Sequence, residues 1–493
     1  MNLLDFTISN TSEYIKKMPK DLRKKYGQFF TSKETAIFMS ELFDRPLNTQ
    51  SLEILDAGAG SGILSMALLN RLQTFSGIQE VKLTCYENDP NIVSLLKENL
   101  TWAQNNIRRI QFSFIIREEN YILSQISNYN GLNTTNEKYD LIIGNPPYLK
   151  ISKDAPEAKA MSDVCYGAPN LYFLFISMGA FNLRNNSEMV YIIPRSWTSG
   201  AYFKQFRQKF LRECALKHIH LFVSRDKVFQ NENVLQETMI IKAIKSQQKP
   251  ENITITTSQS SSDFSNKTNF IAPYNSVVSG EDLYVFLTTC QKDVETLNIL
   301  NRWTDNLLNI GLKMKTGLTV DFRNKQILCD KFEPSSVPLF HPQHIQNGKI
   351  FFPANREQEY ILTDKKGLLQ PNTNYLFVKR FTTKEEHRRL QCGIYIASEY
   401  PHFTQISTQN KINFITGTTS LSKSIVYGLY VLFNSTIYDS YYRILNGSTQ
   451  VNSTEINSMP VPPINIIESM GYDLIQADDY SEISCDKILR SYL

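Results

Sequence analysis

The chain has 493 residues, of which 42% are hydrophobic and 20% are charged, and its net charge is +4. This length predicts two or three domains, and the composition is that of a folded protein, which excludes a disordered chain. Because no run of about 18 apolar residues occurs and the N-terminus lacks a signal-peptide pattern, we expect a cytoplasmic protein without a membrane segment.

Residues 51–223 alternate between short apolar runs typical of strands and longer stretches typical of helices. Strands that alternate with helices favour a parallel α/β sheet. The predicted strands are Leu52–Leu55, Val81–Tyr86, Phe112–Ile116, Tyr139–Ile143, Met189–Ile193 and Ile219–Val223. The clearest predicted helices are Ser32–Phe43, Ile63–Leu72, Asn91–Gln104 and Leu171–Phe181.

The composition changes after this region. Residues 246–269 are rich in Ser, Thr, Gln and Asn, which predicts a linker or exposed loop with some local strand. Residues 301–460 contain 18 basic and 12 acidic side chains, so they hold the positive excess of the whole chain, as a phosphate-contacting region would. We therefore predict three parts: a first domain at 1–245, a linker or extension at 246–285, and a mixed α+β domain at 286–493.

The first predicted strand ends in a glycine-rich turn, Asp56-Ala57-Gly58-Ala59-Gly60-Ser61-Gly62. Glycines allow a tight turn and let the backbone approach a ligand at the start of the next helix. A dinucleotide-binding turn would need a glycine at Ile63, and Asp56 suits a positively charged amino group better than a pyrophosphate. S-adenosylmethionine carries such a group.

An acidic residue, Glu87, follows the second predicted strand. A carboxylate at this position can accept hydrogen bonds from both hydroxyls of a ribose. Together with the glycine turn, it favours a nucleoside-type ligand over a purely structural strand-to-helix turn.

The sequence Asn145-Pro146-Pro147-Tyr148 follows the predicted strand Tyr139–Ile143. A Pro-Pro pair often simply ends a strand, but open α/β sheets bind ligands at the carboxyl ends of their strands. The Asn145 side-chain oxygen and the Pro146 carbonyl can both accept hydrogen bonds from an exocyclic amine, and proline adds no competing N–H. Two acceptors would expose the lone pair of this poor nucleophile and stabilise its developing positive charge, while Tyr148 stacks on the ring.

In content and order these motifs resemble the gamma-class N6-adenine DNA methyltransferases of type II restriction–modification systems. The resemblance covers nearly the whole chain and begins at Gly27-Gln28-Phe29-Phe30-Thr31. It implies a Rossmann-like, S-adenosylmethionine-dependent methyltransferase domain with a mixed, mostly parallel sheet, followed by a DNA-recognition domain. Further matching segments are 170–175, 194–197, 228–230, 375–390 and 446–452.

The resemblance implies a set of cofactor-binding residues. Glu87 would hold the ribose of S-adenosylmethionine, and Phe175 would line the pocket of its adenine ring. The residues that would hold its methionine end are Thr31, Asp56, Gly58 and Gly60.

One cofactor position departs from the family pattern. After the third strand the family usually carries an aspartate that binds the amine of the cofactor adenine, and here Asn120 aligns best. Its carbonyl oxygen can accept the same hydrogen bond. Glu119 is the alternative, and the change affects cofactor affinity more than the reaction class.

The resemblance also implies how the target base is held. Asn145 and Pro146 would bind the target amine, and Tyr148 and Phe229 would stack on the two faces of an adenine flipped out of the duplex. Transfer would be direct and in line, without a metal or a covalent intermediate. Because no cysteine lies beside the Pro-Pro pair, methylation at cytosine carbon 5 is excluded.

Two alternatives remain open from the sequence: an RNA adenine-N6 methyltransferase, and a DNA-binding relative without catalysis. Double-stranded DNA is the expected partner, because a protein-glutamine methyltransferase would not need so large a basic, aromatic-rich second region. We expect a monomer whose cognate restriction endonuclease, if one exists, is a separate chain. The candidate phosphate or base contacts are Lys313, Lys315, Arg323, Lys325, Lys379, Arg380, Arg388 and Arg389.

Overall fold

The computed structural model describes residues 2–17, 30–44, 49–133, 137–222, 238–261, 263–383, 385–446 and 449–493. The chain forms two compact units. The first unit comprises Met1–Thr198 and Tyr202–Thr289, and the second comprises Ser199–Ala201 and Cys290–Leu493. Among the helices of the described ranges, none is long and apolar enough to span a membrane.

One sheet of nine strands forms the centre of the first unit. Its strands are β1 (Ser51–Ala57), β2 (Glu80–Tyr86), β3 (Gln111–Arg117), β4 (Tyr139–Gly144), β5 (Leu183–Pro194), β6 (Ala215–Phe222), β7 (Thr238–Ile244), β8 (Asn252–Ser258) and β9 (Thr268–Pro273). They lie in the order β3-β2-β1-β4-β5-β7-β6-β8-β9. Neighbours from β3 to β5 are parallel, whereas β7 is antiparallel to β5 and β6. A short hairpin follows, with β10 (Val278–Ser279) and β11 (Tyr284–Val285).

The helices of the first unit mostly connect these strands. They are α1 (Leu3–Lys17), α2 (Lys33–Glu41), α3 (Ile63–Leu72), α4 (Pro90–Asn106), α5 (Tyr121–Ser124), α6 (Ile126–Tyr129), α7 (Pro156–Ala160), α8 (Leu171–Asn182), α9 (Lys204–Glu213) and α10 (Tyr274–Val277). Local signals set their starts: α4 follows Asp89, whose side chain accepts a hydrogen bond from the Asn91 amide, and Pro90 occupies its first position.

The predicted α/β fold with a mostly parallel sheet is confirmed. The described part of each predicted strand lies within one observed strand. The last four residues of β1 and of β4 are buried, as expected for parallel strands covered on both faces. This buried centre fixes the loops that follow β1 and β4.

The segment 246–285, predicted as a linker or extension, extends the sheet of the first unit, because it contains the strands β8 and β9. Strand β8 runs parallel to β6, and β9 pairs antiparallel with β8. The polar composition is misleading because threonine is a good strand residue, and β8 needs only alternate apolar side chains such as Ile253 and Ile255 for burial. The buried Thr256 hydroxyl is hydrogen-bonded to His218 and His220 of β6, both at 2.8 Å.

The second unit contains small sheets and a group of helices. Its strands are β12 (Asp305–Asn306), β13 (Leu312–Thr316), β14 (Leu328–Cys329), β15 (Val337–Phe340), β16 (Ile345–Gln346), β17 (Lys349–Ile350), β18 (Tyr360–Ile361), β19 (Gln370–Pro371), β20 (Tyr375–Lys379), β21 (Cys392–Tyr395), β22 (Gln405–Thr408), β23 (Ile412–Gly417) and β24 (Pro460–Val461). They form one sheet in the order β13-β23-β20-β21-β17-β16, another in the order β14-β18-β15-β22-β19, and the pair β12-β24. The helices are α11 (Gln291–Leu300), α12 (Lys423–Asn434), α13 (Thr436–Leu445), α14 (Ser453–Ser458), α15 (Ile464–Ala477) and α16 (Glu482–Arg490).

Aromatic side chains fill much of the core of the second unit. Phe340, Tyr375, Phe377, Tyr395 and Phe414 are all buried in one cluster. The rings of Phe377 and Tyr395 are stacked with centroids 5.2 Å apart. The high Tyr and Phe content of this region therefore serves its core packing to a large extent.

Candidate active site

The loops after β1, β2, β3 and β4 surround a cavity of about 270 Å³ in the first unit. This is the edge of the sheet where open α/β proteins bind ligands. Residues from six separate parts of the sequence meet there. The predicted site residues in its wall are Thr31, Gly58, Gly60, Glu87, Glu119, Asn120, Asn145 and Phe175.

The glycine turn and Glu87 are joined by hydrogen bonds. Gly58 and Gly60 have φ angles of +75° and +55°, which favour glycine at both positions. The Gly60 amide donates to one Glu87 carboxylate oxygen at 2.9 Å, and the amides of Asn88 and Asp89 donate to the other. Burial nevertheless raises the pKa of Glu87 above its ordinary value. The turn thus holds an acceptor in the cavity wall.

Asp56 lies beneath this turn and is not part of the cavity wall. Its Oδ2 accepts a hydrogen bond from the Ser65 hydroxyl at 2.6 Å, and its buried Oδ1 has no hydrogen-bond partner among the described residues. Burial raises the pKa of Asp56 to about 7. A cationic group nearby would stabilise its ionised form.

The Asn145–Tyr148 segment is held from two sides. The Asn145 amide nitrogen donates to the Thr31 hydroxyl at 3.2 Å, and the Tyr148 hydroxyl donates to the Ile192 carbonyl of β5 at 3.0 Å. Gly144 packs so tightly against Tyr191 that a Cβ there would lie 2.6 Å from its ring. Tyr148 is largely buried, and Pro146 is buried beside it. Stacking of Tyr148 on a target base stays a prediction.

Asn120 has a structural use that the sequence did not reveal. Its side-chain oxygen accepts hydrogen bonds from the amides of Ile122 and Leu123, both at 3.1 Å, and so caps α5. Its amide nitrogen donates to Glu157 at 2.8 Å. A hydrogen bond from the cofactor adenine has to compete with this cap, so Glu119 in the same wall remains the alternative.

The structure also adds residues to the site. Phe30 and Tyr121 lie in the cavity wall, and Tyr121 contacts Phe175 with ring centroids 5.4 Å apart. Phe30 adjoins Thr31 in the first motif, which was the available signal, whereas nothing in the sequence marked Tyr121. Phe229, the second predicted stacking residue, lies outside the described residues.

The candidate DNA contacts in the second unit divide by exposure. Arg389 is fully buried, donates to Asn446 at 3.1 Å and lies over the Tyr442 ring. The neighbouring Arg388 is mostly buried and donates to the Ser435 carbonyl at 2.8 Å. Both are corrected from DNA-contact candidates to residues that support the fold, because their guanidinium groups bind inside the protein. Exposed are Lys313, Lys315, Arg323 and Lys325, while Lys379 and Arg380 are half-buried.

The cavity fits S-adenosylmethionine. Glu87 offers carboxylate oxygens for ribose hydroxyls, and Phe30, Tyr121 and Phe175 offer aromatic surface for its adenine ring. Within the described ranges, no group of three His, Cys, Asp or Glu side chains is placed to hold a metal ion.

Comparison with known proteins identifies the family of the chain. The family model of the Eco57I restriction-modification methylase matches residues 63–229. The chain is 32% identical to the type II methyltransferase M.PstI of Providencia stuartii, over 97% of this chain and 94% of that protein. It is 33% identical to the type II methyltransferase M.BsuBI of Bacillus subtilis, over 96% of this chain and 94% of that protein.

A solved structure supports the same fold. The type IIL restriction-modification enzyme MmeI, solved in complex with DNA, matches 98% of this chain and 75% of its own at 11% identity, with a TM-score of 0.54. At this identity the likeness concerns the fold, whereas the two long sequence matches concern the family. On those matches and on the cavity that fits S-adenosylmethionine, the chain belongs to the DNA methyltransferases of type II restriction–modification systems.

Proposed function

We propose that this methyltransferase modifies the N6 amine of an adenine that is flipped out of a specific duplex DNA site. The observation that carries the proposal is Asn145, whose side chain lies in the cofactor cavity wall with its amide nitrogen directed at Thr31. Its amide oxygen, directed away from Thr31, can accept a hydrogen bond from an exocyclic amine next to the methyl donor. Pro146 follows it without an N–H that would compete.

The residues of the first unit would act as acceptors and positioning groups. S-adenosylmethionine, when bound, supplies the methyl group. Asn145 and the Pro146 carbonyl would hold the target amine, turn its lone pair toward the methyl carbon and stabilise its developing positive charge. Tyr148, fixed through Ile192, would stack on the base. The proton lost after transfer would leave to solvent.

The same two acceptors can bind the exocyclic amine of cytosine. The gamma order of the motifs, with Asp56–Gly62 and Glu87 ahead of Asn145–Tyr148, supports adenine. Adenine N6 is paired inside the duplex, so the nucleotide has to leave the stack, at a cost of a few kcal/mol.

The second unit would recognise the DNA site. Its exposed basic residues on β13 and in the segment 321–325 support phosphate contacts, which position a protein on DNA. Protection of host DNA from a restriction endonuclease encoded as a separate chain follows from this function, and action as a monomer is part of the same proposal.

The test is to sequence DNA, by a modification-sensitive single-molecule method, from a methylation-free host that expresses this chain. We expect N6-methyladenine at one short motif. The matched control is Asn145→Ala, for which we expect a loss of modification of about a hundredfold or more with unchanged DNA binding. N4-methylcytosine, or modification of RNA but not of DNA, would contradict the proposal.

A further inference from the structure

The chain that follows Tyr148 is held in a fixed position beside the cavity. The amide of Leu171 donates to the Leu149 carbonyl, and the amide of Ile151 donates to the Pro169 carbonyl, both at 2.9 Å. Lys150 and Asn170 form an antiparallel bridge between these bonds. Leu149 lines the cavity and is itself exposed. A path along the surface therefore leads from the cavity to Lys150.

Two exposed tyrosines meet next to Lys150. Tyr166 and Tyr202 are 60% and 62% exposed, and their ring centroids are 6.3 Å apart at an interplanar angle of 51°. The Lys150 ammonium lies 6.0 Å from the Tyr202 ring centroid. Among the described residues of the first unit, no other aromatic side chain reaches the exposure of these two. We call Lys150, Tyr166 and Tyr202 the tyrosine surface.

The exposure of Tyr202 does not come from a loose local structure. The adjacent Phe203 packs against Tyr172 and Phe173 at the start of α8, with ring centroids 5.9 Å and 5.5 Å apart. Beside Tyr166, Gly167 has a φ of +77°, and a Cβ there would lie 3.5 Å from the Tyr202 ring. Packing of the neighbouring residues thus fixes both rings in their exposed positions. Single exposed aromatics are ordinary, but a supported pair beside a substrate cavity indicates a binding surface.

We infer that the tyrosine surface binds the bases of the DNA strand that carries the target nucleotide. This inference rests on the proposed function, since it places DNA at Asn145. When the target nucleotide leaves the duplex, the neighbouring bases lose a stacking partner. An aromatic side chain can stack on these bases instead, whatever their identity. Lys150 supplies a positive charge for a phosphate of the same strand. The surface adjoins the residues that follow Tyr148, where this strand has to pass to deliver its base.

The experiment compares variants of the full-length protein. Tyr166→Ala with Tyr202→Ala removes both rings, and Tyr166→Phe with Tyr202→Phe keeps the rings without their hydroxyls. Tyr472→Ala is the matched control, because Tyr472 is 57% exposed in the second unit. The affinity for a duplex carrying the modified site is measured by fluorescence anisotropy, the affinity for S-adenosylmethionine by calorimetry, and folding by thermal unfolding.

We expect the double alanine variant to bind the duplex about tenfold or more weakly, with the affinity for S-adenosylmethionine and the melting temperature unchanged. The phenylalanine and Tyr472→Ala variants should stay within about twofold of the parent protein. Lys150→Ala should lower the slope of log affinity against log salt by about one.

Parent-like DNA affinity of the double alanine variant would overturn the inference, and so would an equal loss in the phenylalanine variant, because stacking would then not be the interaction. If the double variant unfolds early, each single alanine variant is measured against the same expectation. If the double alanine variant loses DNA affinity but the parent protein forms a product other than N6-methyladenine, the proposed function is overturned. The inference that the tyrosine surface binds DNA is then retained.

Discussion

At the scale of single residues, Thr31 and Asn145 show how a cofactor site and a target site share a contact. Thr31 was predicted to hold the methionine end of the cofactor, and its hydroxyl also accepts the Asn145 amide hydrogen bond at 3.2 Å. This bond favours the amide orientation in which the Asn145 oxygen points away from Thr31. We therefore expect Thr31 to position the group that holds the target amine.

Thr31→Val keeps the shape of the side chain but removes the hydrogen bond. One such bond contributes about 1–1.5 kcal/mol, so the single-turnover rate at saturating S-adenosylmethionine should fall roughly tenfold. The affinity for S-adenosylmethionine should change less, and Thr31→Ser should restore the rate. A weaker affinity with an unchanged rate would show that Thr31 acts on the cofactor alone.

Asp56 makes the free energy of unfolding depend on pH. Burial raises its pKa from 3.8 to about 7, so between these values the folded protein binds more protons than the unfolded chain. This carboxyl therefore contributes stability at low pH that is lost as the pH rises from about 4 to about 7. Asp56→Asn removes the titration and keeps an oxygen for Ser65.

Urea denaturation of the parent and of Asp56→Asn at pH 5 and pH 8 measures this effect. We expect the variant to gain stability relative to the parent on going from pH 5 to pH 8. The opposite change would mean that the folded protein lowers the pKa of Asp56.

At the scale of elements, two glycines set the contact between α12 and α15 in the second unit. A Cβ on Gly428 would lie 1.7 Å from the Ile467 carbonyl oxygen, and one on Gly471 would lie 1.8 Å from the Ser424 carbonyl oxygen. The backbones of the two helices therefore touch at both glycines. Neither glycine stood out in the sequence, because the clash is with residues about 40 positions away.

Gly428→Ala should lower the free energy of unfolding by about 1–3 kcal/mol or more, because the helices have to move apart. Gly367→Ala is the matched control, since a Cβ on Gly367 would meet no atom within 4 Å. Thermal unfolding of both variants measures the difference. Equal melting temperatures would show that α12 and α15 separate at little cost.

At the scale of the whole molecule, the positive excess of residues 301–460 divides into exposed charges and buried structural ones. Lys313 and Lys315 are exposed on β13, at the edge of its sheet, whereas Arg389 is buried with Asn446 and Tyr442. Net charge thus overestimates the surface available to DNA.

Lys313→Ala with Lys315→Ala should weaken DNA binding and lower the slope of log affinity against log salt by about two, with the melting temperature unchanged. Lys487→Ala with Arg490→Ala removes two exposed charges of α16 and is the control. Titrations with the modified duplex at several salt concentrations give the slopes. Equal slopes in the two double variants would exclude phosphate contacts by β13.

The sequence by itself determined strands β1 to β6 of the first unit and the loops after β1, β2 and β4 that carry its site. The signals for these loops are local in the sequence. Gly58 and Gly60 directly follow β1, where the turn requires positive φ angles, and Asn145 directly follows β4, which ends at Gly144. Parallel strands then bring their following loops to one edge of the sheet, so the wall residues Gly58, Gly60, Glu87 and Asn145 could be named in advance, whereas Thr31 and Phe175 were named from the family resemblance.

Only the tertiary structure decided which residues are buried and which partners they have across long distances in the chain. The polar segment 252–273 became two strands because β6 offered a pairing edge, and Asn120 became a helix cap as well as a wall residue. Arg389 is buried and is therefore no longer a candidate for a DNA contact. The exposed rings of Tyr166 and Tyr202 contact each other although 36 positions separate them in the sequence. Exposure and pairing depend on chain packing between distant segments, and residue type constrains that packing only weakly.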